Sequence, residues 1–134
     1  MTIKDLSQLY NIRKRLEERR ETLATLDARA TKVTASVGGM HHGSGISDKT
    51  GIGAEMADLR REIEDLAAQE ERELLRLCRY ITGVQDAYIQ RLLRLRFLEG
   101  LTWRQVAFKA GGGNTEDGVR KAVFRFVNGN FERK

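Results

Sequence analysis

Near the C-terminus, Thr115, Glu116 and Asp117 are followed at helical spacing by Arg120, Lys121 and Arg125. Arginine and lysine donors match the O6 and N7 acceptors of guanine, and a carboxylate accepts from the cytosine amine. A helix that carries such residues in its first turns fits the DNA major groove. Arg104 and Lys109, one element earlier, suit phosphate contacts, which set register on a duplex without reading its sequence, while Arg91, Arg94 and Arg96 read equally as phosphate contacts or as a charged helix face. Glu116 and Asp117 have a second reading: carboxylates in a first helical turn stabilise the helix through its dipole. Trp103 and Phe108 are expected in the core rather than stacked on bases.

The rest of the chain offers no catalytic set. Cys78 is the one cysteine, which excludes a disulfide framework and a four-cysteine zinc site. It falls on an apolar side between Leu74 and Ile81 and reads as a packing thiol. His41 and His42 lie among glycines with no carboxylate or thiol at ligand spacing, so no metal is expected. Gly111-Gly112-Gly113-Asn114-Thr115 lacks the Gly-Lys-Ser/Thr ending and the preceding strand of a phosphate-binding loop, and reads as a turn. Glu64-Asp65 and Glu70-Glu71 read as solvated helix faces. The expectation is a protein that is not an enzyme and holds no cofactor.

The elements that must position the basic residues are helices. Asp86 opens a helix over DAYIQRLLRLRFLEG, and Gly100 ends it. Thr102 and Gln105 form a capping box for the short helix WRQVAFKA, with Val106 and Ala107 inward and Trp103 over the preceding helix. The three glycines end it. Asn114 or Thr115 then caps EDGVRKAVFRFV, whose buried stripe is Val119, Ala122, Val123 and Phe126. A short helix, a glycine turn and a second helix with a basic exposed face form a helix-turn-helix pattern.

Upstream, Leu9, Leu16, Leu23 and Ala30 repeat every seven residues. Ile12, Leu26 and Val33 fill the second seam position, where Arg19 is the exception. Ile52, Met56, Leu59, Ile63 and Leu66 keep the same spacing, and Leu74, Leu77 and Ile81 resume it after a stutter at Glu70. Two helices of roughly 30 residues, each about 45 Å long, are expected to pair antiparallel as a coiled-coil hairpin. Residues 36–51, rich in glycine, read as the flexible linker, with Asp48 and Lys49 capping the second helix. The fold expected is all-α: a helical hairpin over 1–83 and a helix-turn-helix domain over 84–134. Such a hairpin has little core of its own, which favours a homodimer.

Charge follows the same division. Residues 1–85 carry 14 basic and 14 acidic side chains, so the whole excess of +5 lies in residues 86–134. That asymmetry suits a neutral module joined to one that meets a polyanion. No apolar run approaches the roughly 18 residues of a membrane span, and no signal-peptide pattern is present. The expectation is a cytoplasmic protein without membrane contact.

The stretch LRLRFLEGLTWRQVAFKAGGGNTEDGVRKAVFRFV resembles region 4 of bacterial sigma factors. The match runs through the leucine-rich helix, GLTWRQVA and VRKAVFRF. With the paired long helices and the SDKTG segment, the layout resembles small phage-encoded regulators of the ArpU and RinA type. The resemblance implies DNA contacts from the positions flanking Val119: Glu116 and Asp117 before it, Arg120, Lys121 and Arg125 after it. It also implies a phage or prophage protein of a bacterial host, acting on late-gene transcription, with host RNA polymerase as a further partner. Two features depart from the pattern, the triple glycine and Gly118. Gly118 costs a helix roughly 1 kcal/mol relative to alanine, so the helix is expected to firm up on DNA. No counterpart of sigma region 2 is present. Two rival readings are a small terminase subunit, which would form a ring on packaging DNA, and an adaptor whose basic end meets an acidic protein.

Overall fold

The computed structural model describes residues 1–37 and 43–132, with side chains over 1–32 and 51–129. Its regular structure is all helical. Helix α1 (Ile3–Leu6) opens on a capping box in which Thr2 Oγ1 accepts from the Asp5 amide at 3.2 Å and the Asp5 carboxylate accepts from the Thr2 amide at 3.0 Å. Those bonds from Thr2 hold the Asp5 carboxyl below its ordinary range. Helix α2 spans Gln8–Val37 and α3 spans Gly43–Thr82.

Helix α3 therefore starts upstream of the expected Asp48-Lys49 cap and takes in residues 43–51 of the expected linker. Glycine weakens a helix by about 1 kcal/mol, but only proline removes a donor and clashes with the preceding turn. The chain has no proline. His41 and His42 lie outside the described residues.

Two compact units divide the chain. One unit is Arg13–Gln69. Here the long helices α2 and α3 pack as a hairpin along a narrow seam. Leu16, Met56 and Leu66 are buried, and Leu23, Leu26, Ala30, Ile52, Leu59 and Ile63 are half-buried. Arg19, the exception in the heptad, is met from the opposite helix by Glu62, with Nε 2.9 Å from Oε1. That hydrogen bond raises the Arg19 pKa further. The unit ends just before Glu70, where the apolar spacing of α3 stutters.

The other unit is Met1–Ile12 with Glu70–Lys134. Its core joins Leu6 and Leu9 to Leu77, Ile81 and Val84, and then to the C-terminal helices. Helix α3 stops at Thr82, beside the expected division at 83/84, but the compact units part at 12/13 and 69/70 instead. The core runs back across 83/84, because the last turns of α3 present Leu77 and Ile81 to the following helices. Arg76 adds a polar tie, bonding Glu73 on its own helix and the Asp5 carbonyl at 3.2 Å.

Helix α4 (Ala87–Leu93) is capped by Asp86, whose carboxylate accepts from the Tyr88 and Ile89 amides at 2.9 and 3.2 Å. Gln90 Nε2 donates to the Ile81 carbonyl at 3.1 Å and closes the end of α3. Helix α4 continues as a π-helical turn over Arg94–Leu98, and Gly100, at φ +73°, ends it. Helix α5 (Trp103–Ala110) and helix α6 (Glu116–Glu132) complete the unit. Ile89, Leu92, Leu93, Val106, Val119, Val123 and Val127 are buried together. Among the described residues no helix is long and apolar enough to cross a membrane.

Phe108 corrects the sequence expectation. It is 86% exposed. The inward face of α5 is Trp103, Val106, Ala107 and Ala110, at the first, fourth, fifth and eighth positions, and Phe108 falls outside that set. Cys78 is half-buried.

Candidate nucleic-acid interface

The site is built on the connection between α5 and α6. Thr102 and Gln105 form the capping box that starts α5, with reciprocal bonds of 3.2 and 3.0 Å. At its end Gly111, Gly112 and Gly113 take φ of +73°, +67° and +73°. Side-chain-bearing residues rarely adopt that region, and no other residue type does so among the described residues. The triple glycine is thus a backbone requirement of this turn.

Asn114 locks the turn from both sides. Its Nδ2 donates to the Gly111 carbonyl, and its Oδ1 accepts from Tyr88 Oη on α4 at 2.9 Å. Thr115 is the cap of α6, its Oγ1 accepting from the Gly118 amide at 3.0 Å. A Cβ added at Gly118 would lie 2.9 Å from that hydroxyl. Gly118 is therefore matched to the threonine cap, a reason for glycine that the sequence does not display.

The first turns of α6 present one exposed face: Glu116, Asp117, Arg120 and Lys121, with Arg125 a turn further on. The opposite face, Val119, Val123 and Val127, is buried, and Ala122 and Phe126 are half-buried beside it. Asp117 sits among the cations. Its Oδ1 accepts from Arg120 Nη2 at 2.7 Å, and its Oδ2 lies 3.5 Å from Lys121 Nζ. Lys121 first, and the Arg120 bond second, hold the Asp117 carboxyl below the usual carboxylate range. Among the described residues, Glu116 and Arg125 have no charged partner.

No protein-family model, curated protein or solved structure matches the chain.

On α5, Arg104 is exposed and has no carboxylate partner among the described residues, while Lys109 Nζ lies 3.9 Å from Glu99. Arg96 behaves differently. It follows Leu93 by three positions and Leu92 by four, which turns it inward, and it is half-buried. Its Nη1 donates to the Leu101 carbonyl at 2.8 Å, and its guanidinium lies 4.7 Å from the Trp103 ring centroid. Burial lowers its pKa. Trp103 in turn meets Phe97 and Phe124 edge-on at 6.3 and 6.1 Å. Arg96 thus braces α5 against the helix before it and is withdrawn from the exposed basic set.

The eight residues singled out from sequence fall into two groups. Thr115, Glu116, Asp117, Arg120, Lys121 and Arg125 share the start and outer face of α6. Arg104 and Lys109 stand at opposite ends of α5. Sequence reasoning named Asn114 only as a candidate cap and missed its bond to Tyr88, which ties the turn to α4. Their separation of 26 positions leaves no local signal.

Proposed function

We propose that this chain binds double-stranded DNA in a sequence-dependent way, with α5, the glycine turn and α6 acting as a helix-turn-helix and α6 as the reading helix. The observation that carries this reading is the exposed face of α6. A capped helix with a fully buried aliphatic stripe offers Arg120, Lys121 and Arg125 outward from its first turns, where a major-groove helix touches base edges. Thr115 caps that helix, and its free amides favour a nearby phosphate. Arg104 and Lys109 supply phosphate contacts from α5. In this reading Asp117 orients Arg120, and Glu116 is free to accept from a cytosine amine.

The likeness of GLTWRQVA and VRKAVFRF to sigma region 4 extends the proposal to transcription. The chain then acts as a regulator of phage late genes in the cytoplasm of a bacterial host, with RNA polymerase as a further contact. The hairpin of α2 and α3 serves as its dimerisation module, because a two-helix seam in which, among the described residues, only Leu16, Met56 and Leu66 are buried is thin for an independent core. Two copies place two reading helices on half-sites separated by a whole number of helical turns, about 10 base pairs or a multiple.

Selection of duplexes from a random pool by the purified chain tests the proposal. The expected result is a two-fold symmetric motif with such spacing. Recovery of no enriched motif contradicts it. Mass in solution separates the packaging-protein alternative: a dimer fits a regulator, and a ring of many chains fits a terminase subunit.

A further inference from the structure

One face of α4 has no part in the core. Ile89, Leu92 and Leu93 are buried, while Ala87, Tyr88, Gln90, Arg91 and Arg94 line an open groove on the other side. Positions 87, 90, 91 and 94 follow the three-four spacing of one helical face, so both guanidinium groups flank the same groove. Arg91 and Arg94 are exposed, and neither has a carboxylate partner among the described residues. That sets them apart from three neighbouring cations. Arg120 and Lys121 share Asp117, and Lys109 is near Glu99.

The groove is tied to the start of α6. Tyr88, at its edge, donates to Asn114, the residue immediately before the Thr115 cap. The hydroxyl bond fixes which end of α4 lies beside the turn. The groove therefore begins at the turn that leads into the reading helix and carries cations along α4 away from it.

The geometry points to the Tyr88–Arg91–Arg94 face as a binding site for the phosphodiester backbone of a DNA duplex, flanking the segment entered by α6. Arginine suits this role because its planar fork binds two phosphate oxygens at once and stays charged at every relevant pH. Tyr88 holds the site in register with α6. The inference rests on the duplex-binding reading and adds two contacts that set affinity without reading sequence.

The test is the salt dependence of duplex binding by the full chain, followed by fluorescence anisotropy on one selected duplex. Each phosphate contact contributes about 0.9 to the slope of log K against log salt. Arg91→Ala with Arg94→Ala is expected to make the slope shallower by about 1.8. Between 50 and 200 mM salt the parent should then lose about twelve-fold more affinity than the variant. The preferred base sequence should not change. Arg91→Lys with Arg94→Lys should keep most of the slope. Circular dichroism should show both variants folded, since both side chains are exposed and alanine favours a helix. A double-alanine variant that keeps the parent's slope, where the parent binds duplex, overturns the groove alone. A changed base preference also overturns it, because it would make these residues readers. A parent that binds no duplex overturns both the groove and the function it rests on.

Discussion

The Asp117 carboxylate holds the Arg120 guanidinium at 2.7 Å on the exposed face of α6. Lys121 lies on its other oxygen at 3.5 Å. The contact orients the Arg120 side chain, and under the proposed function it also offsets positive charge where DNA phosphates would approach. Asp117→Asn separates these effects. The variant should bind random-sequence duplex severalfold tighter at low salt, because a carboxylate no longer opposes the phosphates. Its preference for the selected duplex over random sequence should shrink, because Arg120 loses its brace. Competition titrations of both duplexes measure the two changes.

Arg96 should behave as a structural cation. Arg96→Ala removes a bond to the Leu101 carbonyl and the contact over Trp103. The expected cost is about 1–2 kcal/mol of folding stability. The slope of duplex affinity against salt should stay at the parent value. Urea melts and salt titrations check the pair of outcomes.

Gly118 and Thr115 should be coupled. Thr115→Ala alone should cost about 1 kcal/mol, the usual worth of such a cap. Gly118→Ala alone should gain little, because its methyl carbon meets Thr115 Oγ1 at 2.9 Å and offsets the gain in helix propensity. In the Thr115→Ala background the same change should stabilise by about 1 kcal/mol. A double-mutant cycle in urea measures this difference.

Leu6 and Leu9 belong to the core of the C-terminal helices, although more than 70 residues separate them from α4. Leu6→Ala should cost about 2–5 kcal/mol, as for other fully buried leucines. A fragment of residues 84–134 should lack cooperative unfolding, since it leaves out Leu6, Leu9, Leu77 and Ile81. Thermal melts of the fragment and the full chain compare the two.

Acid should weaken the N-terminal cap. The Asp5 carboxyl is held below its ordinary value, so its contribution is complete above the unfolded value near 3.8 and is lost as pH falls through the lower folded value. Asp5→Asn should melt earlier than the parent at pH 7. The gap should persist to about pH 5 and close on further acidification. Melting temperatures over pH 2–7 trace this limb.

Local patterns in the sequence reveal much of this fold. The Thr102 and Gln105 pair marks the start of α5, and Gly111 marks its end. Val119 and Val123 are legible as a buried stripe because their spacing keeps one side of α6. Arg19 is legible as an exception but not as a pair, since Glu62 reaches it from the opposite helix. Phe108 is misread when aromatic character is weighed above position, for its place on α5 faces away from Val106. Leu9 looks like the start of a hairpin seam, because nothing local links it or Leu6 to α4. Asn114 is ambiguous with Thr115 as a cap until the Tyr88 bond shows its other use. The basic face of α6 is fully legible, and the brace from Asp117 is foreshadowed by the three-residue spacing.

Whether α6 reads DNA is decided by a single titration. The full chain and its Arg120→Ala, Lys121→Ala variant are titrated against the duplex enriched by the parent and against a scrambled duplex of equal length. The variant is expected to lose at least tenfold in affinity for the enriched duplex, about 1.4 kcal/mol, with a much smaller loss on the scrambled one. Equal affinity of parent and variant for the enriched duplex would contradict reading by α6.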